Sequence, residues 1–197
     1  GGGNAADVPG TDVTIWGGTI GQVFGGGHGN KDATPATEAN VVKRGDEGGN
    51  VAVKIYGGTI TEVFGGSNSK GNIEGASTVT IEENGGSCTF NIGDVYGGGN
   101  QAAGNAGTLS IGCGAVITGN VYGGAKEANV NNDIHLEITG GTLHNVFGGN
   151  NKGGTIAGTI TVDINQDNSC SSWHVDNVYG GGNLAAYSAP QDNQNYP

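Results

Sequence analysis

Six times in 197 residues the chain returns to valine, an aromatic residue and two glycines: Val23-Phe24-Gly25-Gly26, Val63-Phe64-Gly65-Gly66, Val95-Tyr96-Gly97-Gly98, Val121-Tyr122-Gly123-Gly124, Val146-Phe147-Gly148-Gly149 and Val178-Tyr179-Gly180-Gly181. A unit this short cannot bury its own apolar face, so it folds only by stacking on its copies. Each copy contains an alternating segment: Val13 and Ile15; Val51, Val53 and Ile55; Val79 and Ile81; Leu109 and Ile111; Ile134, Leu136 and Ile138; Ile160, Val162 and Ile164. Thr14, Lys54, Thr80, Ser110, Glu137 and Asp163 lie among them. That period of two is a half-buried strand with a polar outer face. Sustained helical periodicity is absent from the sequence, so essentially no helix is expected.

A glycine corner follows the alternating segment, most plainly at Gly17-Gly18, Gly57-Gly58 and Gly140-Gly141. Glycine provides the positive φ that such a corner requires. Next come Ile20, Ile60, Ile92, Ile117, Leu143 and Val175, three or four residues before the repeat valine. A spacing of three breaks alternation and predicts a bend between two inward residues. Successive repeat valines are separated by 40, 32, 26, 25 and 32 residues, which makes about 25 residues the bare unit. The longest excess, about 30–50, reads as a protruding loop, and 188–197 as a tail or linker.

Two architectures accommodate this unit. In a parallel solenoid each copy is one coil, equivalent residues lie about 4.8 Å apart, and six coils make a rod about 29 Å long. In the other, the glycine pairs are tight hairpin turns and the strands run antiparallel. Unequal loops are extruded easily from a coil but disturb a hairpin meander, and this favours the solenoid. The units Gly-Gly-Thr-Ile-x-x-Val-Phe-Gly-Gly and Gly-Asn-Val-Tyr-Gly-Gly resemble the glycine-rich coils of right-handed parallel β-helix proteins of bacterial surfaces, adhesin-like and autotransporter passenger regions included. The resemblance spans roughly residues 8–187. It implies an all-β, single-stranded right-handed parallel β-helix of about six coils over 1–187, and it brings no catalytic motif.

Forty-three glycines approach the level of low-complexity sequence, but the apolar positions recur in every copy, so glycine here shapes backbone. The net charge is −11, with only seven Lys and Arg. Such a surface cannot neutralise phosphates, which excludes nucleic acid and disfavours anionic membranes. No apolar run reaches the length of a membrane span. The opening Gly1-Gly2-Gly3-Asn4-Ala5-Ala6 resembles Gly97–Ala103 and Gly180–Ala186, which reads as the end of a further repeat in a fragment of a longer protein. Cys88, Cys113 and Cys170 hold similar places in three copies. They are expected to be small buried thiols, with a Cys88–Cys113 bridge as the alternative.

The sharpest candidate site is the column Phe24, Phe64, Tyr96, Tyr122, Phe147 and Tyr179. With valine inward, alternation turns the rings outward, where they could stack on glycan rings. The competing expectation is that the rings stack on one another beneath a loop and hold the coils in register. Asn100, Asn150 and Asn183, with His28 and Ser67, suggest a second column of stacked amides. Asp94 and Asp176 lie before repeat valines but about three coils apart, roughly 14 Å, too far for a glycosidase pair. His135, His144 and His174 form no triad with a serine. Calcium is the ion that eighteen acidic residues would favour, yet neither an EF-hand nor a nonapeptide calcium repeat is present, so no cofactor is expected.

The expectation is therefore a non-catalytic, extracellular or bacterial cell-surface stalk or adhesin. Its partners would be flanking repeats of the same polypeptide and a surface glycan or a host or neighbour-cell protein. The alternative is a carbohydrate-active β-helix enzyme, a polysaccharide lyase or glycoside hydrolase.

Overall fold

A computed structural model describes residues 1–85, 90–166, 169–171 and 173–188. The alternating segments become strands of one six-stranded sheet, in the order β1 (Gly10–Ile15), β5 (Asn50–Ile55), β7 (Ser77–Ile81), β9 (Gly107–Ile111), β11 (Ile134–Ile138) and β13 (Ile160–Ile164). The segments carrying the repeat valine and aromatic form a second sheet of β2 (Thr19–Phe24), β6 (Gly58–Phe64), β8 (Phe90–Tyr96), β10 (Val116–Tyr122), β12 (Gly141–Phe147) and β14 (Trp173–Tyr179). Every pairing within these two sheets is parallel. The chain is thus an all-β parallel solenoid, not a hairpin array, and the described residues contain no helix. Six strands line each sheet, and four of the coils lie between neighbours on both sides. Among the described residues a third side is closed by single parallel bridges, Val8–Val41–Ile73 and Gly104–Val130–Ile156.

The register is residue for residue. Ile15, Ile55, Ile81, Ile111, Ile138 and Ile164 make one column, and Val13, Val53, Val79, Leu109, Leu136 and Val162 make the next. Apart from Ile164, these columns face Ile60, Ile92, Ile117 and Leu143 and the repeat valines as far as Val146 across the interior, forming one core. Slipping one strand by a residue would turn its apolar set into water, so this core fixes the stacking. The spacing of three resolves as an irregularity inside the strand. In β6, Ile60 and Val63 are both buried while Thr61 between them is exposed, and in β10 the pairing shifts between Ile117 and Asn120.

The two glycine corners work by different physics. Gly18, Gly58 and Gly141 have φ of 99°, 121° and 93°, as the first corner was expected to require. None of the glycines that follow the aromatic residue has positive φ. There, the missing side chain is a matter of space. A Cβ on Gly65, Gly97, Gly123 or Gly148 would collide with the carbonyl oxygen of the equivalent glycine one coil further on.

Two expectations are corrected. The stretch 30–50 is not wholly extruded. It carries a small antiparallel hairpin, β3 (Lys43–Arg44) with β4 (Glu47–Gly48), but Ala39 and Val41 are completely buried, and Val41 supplies the third side of its coil. The cysteines differ more. Cys113 and Cys170 form a disulfide with 5.2 Å between Cα atoms, so they are neither buried thiols nor, for Cys113, the partner of Cys88. Cys88 lies outside the described residues. The bridge runs from the coil of β9 to that of β13 and passes the intervening coil at Gly140. A Cβ at that position would lie 2.6 Å from Cys170 Sγ and 2.9 Å from Cys113 N. Glycine at 140 is what lets two non-adjacent coils be joined.

Candidate functional site

The aromatic column is continuous. Ring centroids of Phe24, Phe64, Tyr96, Tyr122, Phe147 and Tyr179 follow one another at 4.8, 4.8, 4.8, 5.1 and 4.9 Å, with interplanar angles of 13° or less. The strand spacing sets these distances, because each ring is carried at the same register position. The rings pack as a cluster separate from the main core. Phe64 and Tyr96 are 0% exposed and Tyr122 2%. Covered rings have no face to offer a sugar, so over these three coils the column stabilises the stack. Tyr179, at the end of the array, is 48% exposed.

Polar columns cover the rings from both flanks. On one side stand Gln22, Glu62, Asp94, Asn120, Asn145 and Asn177, two residues before each ring. Gln22 donates to Glu62 at 2.7 Å, Asn145 to Asn120 at 2.9 Å and Asn177 to Asn145 at 3.0 Å. On the other side stand His28, Asn68, Asn100, Lys126, Asn151 and Asn183. Asn100 donates to Asn68 at 2.9 Å and Asn183 to Asn151 at 3.1 Å, while Asn68 contacts His28 Nδ1 at 2.9 Å. The stacked-amide column is therefore real but shifted by one residue in two coils. Ser67 and Asn150 belong to the position before it and turn inward, accepting from Gly27 N and Ala125 N.

Lys126 takes the asparagine position in its coil and reaches back across two coils. Its ammonium lies 6.0 Å from the Tyr96 ring centroid and 5.9 Å from that of Phe64, and it donates to Glu62 Oε1 at 2.6 Å. Both side chains are largely buried, 20% and 16% exposed. Lys126 and Glu62 thus tie the two polar columns together over the rings. Burial alone would raise the Glu62 carboxyl, but hydrogen bonds from Lys126 and Gln22 outweigh it and hold the group below its ordinary range. Asn151 donates to the Tyr96 hydroxyl at 3.0 Å. Burial pushes the Tyr96 phenol far up despite that bond, and it also raises Tyr122. Neither hydroxyl ionises near neutrality.

The histidines pair with carboxylates on the open sheet faces. His135 Nε2 lies 2.8 Å from Asp163, while His144 Nδ1 and His174 Nε2 lie 2.5 and 2.7 Å from the two oxygens of Asp176. Asp176 is held below its ordinary range, first by His174 and then by His144. Its strand position matches His144, whereas Asp94 matches Asn120 and Asn145. The two aspartates therefore occupy different columns as well as coils three apart, and they act on no common point. Among the described residues no group of three or more His, Cys, Asp and Glu side chains could hold a metal ion.

Concave surface lies instead on the third side, around the insert. One groove of about 570 Å³ is lined by Lys31, Glu38, Asn40, Lys70, Asn72 and Gln101 among others, and a second of about 540 Å³ by Lys43, Glu47, Asn50 and Glu74 with their neighbours. Sequence reasoning assigned no role to Lys126, and it considered the insert at 30–50 only as the place of a site in the alternative, enzymatic reading. The signal for Lys126 was present: aligned strictly on the repeat valine, it is the one cation in a column of asparagines and a histidine. The grooves had no such signal, because they depend on where the insert folds back. Comparison with protein-family models, curated proteins and solved structures finds no match to this chain.

Proposed function

We propose that this chain is a non-catalytic rod segment of a secreted or bacterial cell-surface protein, stalk-like or adhesin-like, that carries binding loops on one side of a stiff solenoid. The observation that carries this reading is where the polar side chains go. On the sheets they are taken up by their neighbours above and below: amide to amide, imidazole to carboxylate, Lys126 to Glu62. What varies between coils is the third side, where the insert builds its grooves. The Cys113–Cys170 disulfide supports an oxidising, extracellular setting, because thiols are kept reduced in most cytosols.

The ligand class in this reading is a surface glycan or the polar loop of a host or neighbour-cell protein. With the central rings covered, the groove of Lys31, Asn40, Lys70 and Asn72 is the better place to look than the aromatic column. The test is a glycan array probed with the wild type and with Asn40→Ala/Lys70→Ala. Retention of glycans by the wild type and loss by the double variant supports the reading. Release of new reducing ends or unsaturated products from a bound polysaccharide would overturn it in favour of an enzyme.

A further inference from the structure

The larger groove runs along the rod axis and crosses four successive turns of the third side. Asn40 comes from the first of these turns, Asn72 from the second, Ala103 from the third and Asn131 from the fourth. The turns are stacked in register: Val41 pairs with Ile73, Asn105 N donates to Ile73 O at 3.2 Å, and Gly104 pairs with Val130. Three steps at the strand spacing of about 4.8 Å make a trough about 14 Å long. Its volume of about 570 Å³ is that of a ligand site. One wall is the insert, and it is tied down: Lys31 N donates to Ser69 Oγ at 3.1 Å and Ala39 N to Lys70 O at 3.2 Å. Gly71, Ala102 and Ala103 line the trough without a bulky side chain. At Gly71 a Cβ would collide with the carbonyl oxygen of Ala39, so the space cannot be filled from there.

Three properties narrow what such a trough holds. Its charges cancel. Lys31 Nζ lies 2.8 Å from Asp32 and Lys70 Nζ 3.2 Å from Glu38. An anionic ligand would have to displace a carboxylate from each amine, against a net charge of −11, and a cationic one would meet both amines. The uncommitted polar groups are amides. Asn72 and Asn131 are exposed, and among the described residues neither amide is taken up by a neighbour, unlike the amides stacked beside the aromatic rings. An amide both donates and accepts, as a sugar hydroxyl does. The backbone, by contrast, is occupied. Val41 N donates to Asn72 O, Glu74 N to Val41 O, Gly104 N to Asn129 O and Asn131 N to Gly104 O. A peptide in the trough therefore has no strand edge to pair with. Its side chains on one face recur at roughly 6.6 Å, out of step with coils about 4.8 Å apart. A chain of pyranose rings advances by close to one coil spacing per ring, so successive rings meet successive turns.

We propose that this groove binds a neutral, linear polysaccharide laid along the rod axis, one monosaccharide to each turn. The Asn72 and Asn131 amides hold its hydroxyls, and Ala103 meets the C–H face of a ring. Asp32 and Glu38 keep the two lysines occupied and so turn away polyuronates and other acidic chains. The proposal rests on the reading of this chain as a glycan-binding rod segment, and it adds the chemical class of the glycan, its direction and its length.

The full chain is tested on linear glucose, mannose, galactose, xylose and N-acetylglucosamine oligomers of one to six units, beside galacturonate oligomers of the same lengths. At least one neutral series should bind, with affinity rising to about four units, one per turn crossed, and then levelling. Its Kd should stay within about twofold between low and high salt, because no ion pair forms. Asn72→Ala/Asn131→Ala should weaken the longest neutral oligomer at least about tenfold and leave the Tm unchanged, since both side chains are exposed. Glu38→Gln releases the Lys70 amine and should raise affinity for galacturonates several-fold with neutral oligomers unaffected. Galacturonates that bind the wild type as tightly as neutral oligomers, full affinity reached with a single unit, or neutral binding that Asn72→Ala/Asn131→Ala leaves intact would each overturn the proposal. Tight galacturonate binding that is lost in Asn40→Ala/Lys70→Ala removes the neutral class while the rod-segment reading stands. New reducing ends remove that reading itself. A chain that binds no oligomer overturns the proposal and leaves the wider reading its protein partner.

Discussion

The residue that decides most in this protein is the first glycine after the aromatic ring. At Gly97 the backbone is not in the left-handed region, and alanine would be tolerated by φ alone. What forbids alanine is the carbonyl of Gly123 in the next coil. Gly97→Ala should therefore cost about 3 kcal/mol, in the range of overpacked cores, whereas Gly180→Ala, with no described residue within 4 Å of its Cβ, should stay within about 0.5 kcal/mol. Urea unfolding of the two variants checks this contrast. Equal effects would mean that the glycines serve conformation and not clearance. The aromatic residues make the complementary point. Phe and Tyr interchange along the column because it is the ring face that packs. A hydroxyl finds a partner where one exists, as Asn151 does for Tyr96.

At the scale of the element, the repeated strand is stabilised less by its own sequence than by what crosses between copies. Lys126 is the clearest case, because one side chain on the coil of β10 spans the rings of β8 and β6 to reach Glu62. Lys126→Met keeps the aliphatic cover but leaves a largely buried carboxylate without its cation, at a cost of about 2 kcal/mol, somewhat below the range for fully buried pairs. The sign of the pH dependence follows from Glu62. Its folded pKa is depressed, so its contribution is present above the ordinary value of 4.5 and is lost as pH falls through the folded value. Wild-type stability should decline with acidification below 4.5, and Lys126→Met should lose that part of the decline. Thermal melts between neutral and acidic pH measure it, and an identical slope in both proteins would remove Glu62 from the account.

At the scale of the whole molecule, stability in a stacked array is a sum over coils and their interfaces, and among the described residues β13 and β14 pair on one side only. The disulfide offsets this. By joining Cys113 to Cys170, 57 residues apart, it ties the last coil to the one before its neighbour, and loop closure of that length contributes about 4 kcal/mol. Reduction, or the pair Cys113→Ser/Cys170→Ser, should release β13 and β14 first. Hydrogen exchange read coil by coil should show rapid loss of protection there, while β7 and β9 keep theirs. Uniform loss across the rod would instead indicate that the array unfolds as one cooperative unit.

Much of this was written in the chain in advance. The period of two placed the strands of the first sheet, the repeat valine set the register, and the unequal spacing of copies pointed to coils and not hairpins. These follow from local rules: alternation decides which face is wet, and stacking identical units leaves little choice of partner. Three matters were decided only in three dimensions. Whether the Val-aromatic-Gly-Gly rings were a binding face depended on Lys126, Asn151 and Glu62, residues up to 64 positions apart in the chain. The choice between Cys88 and Cys170 as the partner of Cys113 turned on a corner at Gly140 that lets the bridge pass a whole coil. The reason for glycine after each ring was the carbonyl of another copy. A repeat states in one dimension what touches its own kind, but lids, cross-coil bridges and clearances belong to the third, because they are contacts between positions that the repeat treats as unrelated.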